Sequence, residues 1–305
     1  MRSFLPVLLL ACLTPMTAWT DSQVLVIPSE SGTAYQEAIN AFQEGMAGRQ
    51  VNIRVPASIT PDIIQQMTGE ANLIVPIGLR AARLVAEHDA GKASILALMV
   101  PKSAAEHLPW PVQHDRRRIS AVYVDQPVGR SFDLVRVALP GRLRVGAMCS
   151  RENTALSKVL ELEATRQGLH LEVAMVDTSA EVGPALRRLL PDVEALLLVP
   201  DPVTLNSSNL QNVLLAAYRQ RIPVIGFSPG QVNAGATASV YATPAQIGRQ
   251  GAQMAARWTP ASGDLPPAQS PSAFEISVNQ QVVRSLDLAM PVEAEIRHRM
   301  EERRD

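Results

Sequence analysis

Short apolar runs alternate with longer amphipathic segments along almost the whole chain, and this alternation constrains the fold more than any other feature. Residues 24–28, 73–77 and 95–100 are typical of buried strands. Segments with helical periodicity follow such runs, for example residues 35–46. Because strands that alternate with helices pair in parallel, the sequence predicts an α/β protein with helices on both faces of its sheets.

The alternation occurs in two successive series. The first ends near residue 138, and the second begins with a strand at residues 144–148. Leu139-Pro140-Gly141-Arg142 lies between them and is typical of a break between lobes. The sequence therefore predicts two similar lobes, followed by a highly charged tail at residues 293–305 that we expect to be a frayed helix.

The N-terminus resembles a signal peptide. Arg2 precedes an apolar run at residues 4–13, and residues 14–20 are mostly small or polar. We expect residues 1–20 to direct export to the periplasm. Leu9-Leu10-Ala11-Cys12 also resembles a lipoprotein box, so lipidation at Cys12 is an alternative to soluble export. After cleavage the chain keeps only Cys149, which excludes a disulfide framework.

Composition argues against a nucleic-acid partner. Lysines and arginines number 28 against 29 acidic residues, so the excess of positive charge that displaces counterions from phosphate is missing. Aromatic residues make up only 4% of the chain, which disfavours a base-stacking surface and predicts an aliphatic core.

The sequence predicts no catalytic residue, metal or cofactor. Gly226-Phe227-Ser228-Pro229-Gly230 matches G-x-S-x-G, but Pro229 has no N–H to donate to an oxyanion. We also expect no helix to begin there, so Ser228 is predicted to lie in a polar turn. Cys149 is predicted to be a buried thiol. The five histidines lack metal-ligand spacing, and no phosphate-binding loop is present.

The second half of the chain resembles the ABC-transporter substrate-binding proteins of the tryptophan/tyrosine-binding type. The resemblance is strong from about Ile119 onward and weak before it. Its elements are Val199-Pro200-Asp201, Ile222-Pro223-Val224, Val232-x-x-Gly235-Ala236, Ile247-Gly248-Arg249-Gln250-x-x-x-Met254-Ala255, Val278-Asn279 and Leu286-Asp287-Leu288-Ala289-Met290-Pro291.

This resemblance implies a periplasmic-binding-protein type I fold, in which two Rossmann-like lobes are joined by three hinge strands and hold a ligand between them. Residues 22–138 and 241–268 would form lobe 1, and residues 139–240 and 269–292 would form lobe 2. The implied partners are a small-molecule ligand and an ABC permease in the inner membrane, with the protein a monomer. A ligand-sensing or regulatory subunit that docks a membrane receptor or envelope machinery is the alternative function.

The sequence departs from the family at three turns. Gly78-Leu79-Arg80-Ala81-Ala82 replaces a Gly-Thr-Pro-Ala turn, and Pro101-Lys102 replaces an aspartate-proline pair. Cys149-Ser150-Arg151 replaces a tyrosine-asparagine-proline turn. Because these turns gain a cation or lose an aromatic ring, we expect the architecture to transfer but not the aromatic specificity. The ligand is predicted to be amino-acid-like or another small charged solute.

Candidate ligand-binding residues follow the strands, because ligands of open parallel sheets bind at the carboxyl ends of strands. We hypothesise that Arg80 or Lys102 binds an anionic group and that Asp201 or Glu30 binds an amine; solvated loop charges are the equally weighted alternative. The full candidate set is Ser29, Glu30, Ser31, Gly78, Arg80, Lys102, Asp125, Ser150, Asn153, Asp201 and Ser228.

Overall fold

The computed structural model describes residues 22–56, 60–88, 91–110 and 116–303. The predicted signal peptide at residues 1–20, with Cys12, lies outside these ranges. Within them, no helix combines the length and the hydropathy needed to cross a membrane.

The first sheet is five-stranded and entirely parallel, in the order β2-β1-β3-β4-β5. Its three inner strands are largely buried, as expected when helices cover both faces of a parallel sheet. The elements are β1 (Ser22–Pro28), α1 (Thr33–Met46), β2 (Val51–Arg54), α2 (Pro61–Thr68), β3 (Leu73–Ile77), α3 (Leu79–Glu87), β4 (Ser94–Val100), α4 (Lys102–Glu106) and β5 (Ile119–Tyr123).

The second sheet has six strands in the order β11-β10-β9-β8-β6-β7, and only the β10–β11 pair is antiparallel. The elements from α5 onward in the chain are α5 (Val128–Ala138), β6 (Arg144–Ser150), α6 (Thr154–Arg166), β7 (His170–Val176), α7 (Val182–Leu189), β8 (Ala195–Leu197), α8 (Ser207–Arg219), β9 (Val224–Gly226), α9 (Pro229–Asn233), β10 (Ala238–Tyr241), α10 (Pro244–Ala255), β11 (Glu275–Val278), α11 (Gln280–Ser285) and α12 (Glu293–Glu302).

Within the described ranges the chain passes between the two lobes three times. The first crossing, residues 124–127, joins β5 to α5, and the second, residues 242–243, joins β10 to α10. Helix α10 packs against α1, β4 and β5 of the first lobe. The third crossing, residues 270–274, returns the chain to β11, which pairs with β10. The two-lobed α/β fold predicted from the sequence is confirmed.

The structure differs from the expected lobe boundaries at two places. Helix α5 packs against α6, β9 and β10, and Phe132 and Val135 lie in the core of the second lobe. The lobes therefore separate at residues 124–127, and the Pro-Gly turn near residue 140 only joins α5 to β6. Gln269 belongs to the first lobe, because its N–H donates to Ala121 O and its carbonyl accepts from Tyr123 N.

The charged C-terminal segment is a packed helix instead of a frayed tail. Ile296 and Met300 of α12 are buried in the core of the second lobe, against α5 and β11. These two residues are four positions apart and so lie on one face of the helix. The charged residues occupy the other faces, where pairs such as Arg297–Glu301 span one turn at 3.0 Å. The high charge density concealed this narrow apolar face from the sequence analysis.

Helices α1 and α10 approach each other closely because glycines lie between them. A Cβ atom on Gly248 would lie 2.2 Å from the carbonyl oxygen of Ala38 in α1. A Cβ atom on Gly45 would lie 2.6 Å from the Cβ of Ala252 in α10. Helix α10 can therefore pack this closely against α1 only when positions 45 and 248 are glycine.

The first prediction concerns this helix contact. Gly248→Ala should lower the free energy of unfolding by about 1–3 kcal/mol, because the added methyl group meets rigid backbone. The matched control is Gly183→Ala in α7, where the new Cβ finds its nearest neighbour, an Arg187 side-chain atom, at 3.8 Å. That control should be neutral or stabilising by about 0.5–1 kcal/mol, because alanine favours helix over glycine. Urea unfolding of both variants tests the packing, and equal stabilities would contradict it.

Candidate functional site

The candidate residues lie at the carboxyl ends of strands in both lobes. Parallel strands place these ends along one edge of each sheet. Along the first edge, Ser29 follows β1, Gly78 follows β3, Lys102 follows β4 and Asp125 follows β5. Along the second edge, Ser150 ends β6, and Asp201 and Ser228 follow β8 and β9.

Ser29 and Gly78 shape the amino end of α3. The Oγ of Ser29, a residue only 3% exposed, accepts a hydrogen bond from Ala81 N at 2.9 Å. Gly78 has φ of 89°, and a Cβ there would lie 2.6 Å from Ser29 Oγ and 2.8 Å from the ring of Tyr35. Glycine is required by both the backbone conformation and the crowding. Ser29 and Gly78 therefore have structural roles at this edge.

Arg80 is the cation that remains unpaired at the first edge. It lies exposed in the first turn of α3, and the described residues offer it no ion pair. The first turns of α1 and α3 contain no acidic residue, so the positive ends of both helix dipoles are uncompensated there. Glu30 and Ser31 are exposed in the loop that precedes α1. This edge can therefore attract an anionic group.

Lys102 and Asp125 are joined to each other. The Lys102 N–H donates to Asp125 Oδ2 at 2.6 Å, and the Lys102 Nζ lies 3.9 Å from Glu106 Oε1 in an exposed pair. Burial raises the pKa of Asp125, although the Lys102 amide and charge oppose the rise. Asp125 thus connects the first crossing to the amino end of α4, and the Lys102 ammonium already has a carboxylate neighbour.

Asp201 is the most heavily hydrogen-bonded side chain of the second edge. It is 2% exposed, and its Oδ2 accepts from Ser150 N at 2.9 Å, Ser150 Oγ at 2.7 Å and, more weakly, Asn153 Nδ2 at 3.5 Å. Its Oδ1 accepts from the N–H groups of Val203 and Thr204, each at 3.0 Å.

These contacts decide the charge and the role of Asp201. Burial acts to raise its pKa, but the hydrogen bonds from Ser150, Thr204 and Val203 outweigh it and hold the pKa below its usual range. Both carboxylate oxygens are occupied. The hypothesis that Asp201 binds a ligand amine is therefore not supported by its contacts, and its role is to fix the loops that end β6 and β8.

Ser228 is a helix cap. Its Oγ accepts from Gln231 N at 3.3 Å, and helix α9 begins directly after it. The expectation that no helix begins here was wrong: Pro229 occupies the first helical position, where its fixed φ favours a helix and its missing N–H costs nothing. Gln231 Oε1 also accepts from Phe227 N at 2.8 Å. The G-x-S-x-G sequence thus forms the end of β9 and the capped start of α9.

Cys149 shows no sign of activation. Its side chain is buried, and this burial, with smaller contributions from Asp201 and Glu161, raises its pKa to about 12. The thiol is therefore protonated at neutral pH and is a poor nucleophile. Among the described residues, no group of three or more His, Cys, Asp or Glu side chains could hold a metal ion.

Two features of the edges escaped the sequence analysis. Tyr35, near the start of α1, packs beside Gly78 and brings an aromatic ring to the first edge. Arg151, directly after Ser150, pairs with Asp177 at 3.1 Å, and both side chains are exposed at the ends of β6 and β7. Their positions just after strands were the available signal, but the sequence did not show which loops are neighbours.

A cavity of about 620 Å³ lies elsewhere, between α5 and α6. None of the candidate residues lines it. Its carboxylates are paired within the lobe, Glu163 with Arg166 at 2.7 Å and Asp133 with Arg303 at 3.5 Å. It is therefore separate from the strand edges.

Comparison with known proteins identifies the family. The family model for the ABC transporter substrate binding protein matches residues 48–296. The chain belongs to this family. The resemblance inferred from the sequence is thus confirmed for this substrate-binding protein, although no curated protein matches the chain.

Solved structures agree on the fold. A ligand-free, open substrate-binding protein with adhesive properties from Clostridium difficile has 18% identity and a TM-score of 0.69, over 90% of this chain and 97% of that one. A Streptococcus pneumonia ABC domain in complex with L-Trp has 16% identity and a TM-score of 0.57, over 89% and 96%. A periplasmic ribose ABC transporter protein from Conexibacter woesei has 13% identity and a TM-score of 0.52, over 91% and 97%. The substrate-binding protein has the type I periplasmic-binding fold.

The second prediction concerns the pH dependence of stability. Because the folded-state pKa of Asp201 lies below the unfolded value of about 3.9, its carboxylate contributes stability above that value and loses it as pH falls through the folded pKa. Asp201→Asn should therefore lower the free energy of unfolding at pH 7 by about 1–3 kcal/mol, the cost of unpaired buried N–H groups. The variant should also lose less stability than the wild type on acidification.

Denaturant unfolding between pH 7 and pH 3 measures both effects. The control is Asp177→Asn, which removes an exposed carboxylate from the same edge. If the free energies of unfolding of both variants depend on pH as that of the wild type does, the role assigned to Asp201 is wrong.

Proposed function

We propose that this substrate-binding protein captures a small charged solute between its two lobes and delivers it unchanged to an ABC permease. The observation that carries the proposal is Arg80, exposed and without an ion pair among the described residues, at the edge where α1 and α3 begin after the neighbouring strands β1 and β3. The family makes a small-molecule ligand and a permease the expected partners.

The first edge supplies the anion-binding half of the site. Amino ends of helices carry N–H groups without intrahelical partners and a partial positive charge, which suits a carboxylate or phosphate group. Arg80 destabilises its own helix through the dipole, and a bound anion relieves that cost. Ser29 keeps the end of α3 in place through Ala81 N.

Glu30 supplies the complementary charge. Of the two candidates for an amine partner, Asp201 has both oxygens occupied, whereas Glu30 is exposed beside the anion-binding edge. A ligand with a carboxylate and an amine, such as an amino acid, fits this pair of charges. Tyr35 offers an aromatic surface next to them.

The second lobe covers the ligand on closure. Ser150 and Asn153, held by Asp201, and the Arg151–Asp177 pair lie at the edge that meets the ligand. A ligand that contacts both edges only when the lobes are together shifts the population toward the closed state. Micromolar affinity needs about 8 kcal/mol, and charge-assisted hydrogen bonds of about 1.5–3 kcal/mol each supply much of it.

The place of action is outside the cytoplasm, as in other substrate-binding proteins of this family. Residues 1–20 would direct export, with either a free protein in the periplasm or lipid attachment at Cys12.

A thermal-shift screen of amino acids, sugars and small carboxylates tests the ligand class. A ligand that binds only the folded state stabilises it and raises the melting temperature. At a free ligand concentration of one hundred times Kd the stabilisation is about 2.7 kcal/mol. We expect shifts from amino acids or small anions. If only neutral sugars raised the melting temperature, the proposal of a charged ligand would be contradicted.

The third prediction assigns the anion site. Arg80→Ala should weaken binding of the best screened ligand by about 10- to 100-fold, the value of one charge-assisted hydrogen bond. The matched control is Arg83→Ala, an exposed arginine one turn further along α3. Isothermal titration calorimetry with both variants distinguishes a direct contact between Arg80 and the ligand from the general effect of removing one positive charge. Equal affinities for the wild type and Arg80→Ala would remove Arg80 from the site.

A further inference from the structure

Two buried polar side chains, one from each lobe, bind the same short crossing segment. Arg130 lies on α5 of the second lobe, and Gln250 lies on α10, which packs in the first lobe. Both bind main-chain groups of the third crossing, residues 270–274. The sequence analysis assigned no role to Arg130 or Gln250.

Arg130 binds the crossing from the second lobe. It is only 3% exposed, and its Nη1 donates to Pro271 O at 3.0 Å and to Ala273 O at 3.4 Å. Its Nη2 donates to Ser272 O at 3.2 Å. The guanidinium lies 4.9 Å from the centre of the Phe274 ring. Three successive carbonyl groups are thus fixed relative to α5.

Arg130 also contacts the first crossing. Its Nη1 donates to Gln126 Oε1. The described residues offer Arg130 no carboxylate partner, so its buried charge is balanced only by carbonyl dipoles and the aromatic ring. Burying an arginine in this way is costly for stability. Arg130 lies between two of the three crossings and binds both, and this role accounts for a buried arginine at the position.

Gln250 binds the same segment from the first lobe. It is 6% exposed, and its Nε2 donates to Gln269 Oε1 and Ser270 O, both at 3.1 Å. Its Oε1 accepts from Ser272 N at 2.8 Å and from Ser272 Oγ at 3.1 Å. Ser270 and Ser272 are thus fixed relative to α10.

Ser272 is the residue where the two sets of hydrogen bonds meet. Its N–H and hydroxyl bind Gln250, and its carbonyl binds Arg130. The Pro271–Ser272 peptide group is held from both lobes, since its carbonyl accepts from Arg130 and its N–H donates to Gln250. The two sets of hydrogen bonds therefore overlap on one peptide group, and a relative rotation of the lobes at this crossing pulls on both of them.

We propose that Arg130 and Gln250 are positioning residues that clamp the Pro271–Ser272 peptide group between the two lobes and thereby restrict the relative orientations that the lobes adopt without ligand. The inference rests on the proposed function, since it assigns a role in lobe closure. It adds two residues that restrict the relative orientation of the lobes before the ligand binds.

Distances between the lobes test the proposal without any ligand. Spin labels on Glu44→Cys in α1 and Lys158→Cys in α6 use exposed positions, one on each lobe. The full chain would carry Cys12→Ser, while the buried Cys149, with its raised pKa, stays unlabelled. Pulsed electron paramagnetic resonance then gives the distribution of interlobe distances.

We expect the distribution of interlobe distances to broaden when either set of hydrogen bonds is removed. Arg130→Met and Gln250→Met keep side-chain length but remove the hydrogen bonds, and each should widen the ligand-free distribution about twofold, because freed dihedral angles regain their conformational range. Arg130→Lys should narrow it again in part. Matched controls are Arg136→Met on α5, whose guanidinium binds Gln167 O within the second lobe, and Gln253→Met, an exposed residue of α10.

Broadening by both clamp variants, with wild-type widths for both controls, supports the clamp. Wild-type widths in folded clamp variants would overturn it, as would equal broadening in the controls. If Arg130→Met fails to fold by circular dichroism, Gln250→Met alone decides. Should the wild type show no closure with any ligand from the thermal-shift screen, the proposed function fails, whereas the width comparison in the ligand-free protein still tests the clamp.

Discussion

Backbone N–H groups at the carboxyl edges of the two sheets need acceptors, and meeting that need determines what the polar residues there can do. Loops that end parallel strands and begin helices expose N–H groups that no helix or strand satisfies. Ser29, Asp125, Asp201 and Ser228 each accept from such groups. Most of the polar side chains at the edges are therefore part of the scaffold, which is why the ligand site proposed above uses the exposed charges that remain, above all Arg80 and Glu30.

The sequence predicted the class of fold well, because it follows from local patterns. Apolar runs define strands, and the carboxyl ends of parallel strands share an edge. It could not separate scaffold from ligand contacts within the candidate set. Asp201 and Glu30 both follow strands and carry the same charge, but only the three-dimensional arrangement shows that Asp201 is enclosed by Ser150, Val203 and Thr204.

The errors had physical causes that local patterns conceal. Pro140-Gly141 was interpreted as a lobe boundary, but tertiary packing places α5 beside α6 and β10. Pro229 was judged by the donor it lacks and not by the helix it can begin. The charge of residues 293–305 outweighed two apolar residues spaced by four, which bury against α5 and β11. Contacts between distant segments decided each of these cases.

Helix α10 has a consequence for the order in which the molecule can be made. The first lobe begins at β1, but its core also contains Ile247, Met254 and Trp258 from more than two hundred residues later. A ribosome that has finished β5 has therefore produced a lobe without one of its covering helices. The N-terminal half cannot complete its core during early synthesis and must wait for nearly the whole chain.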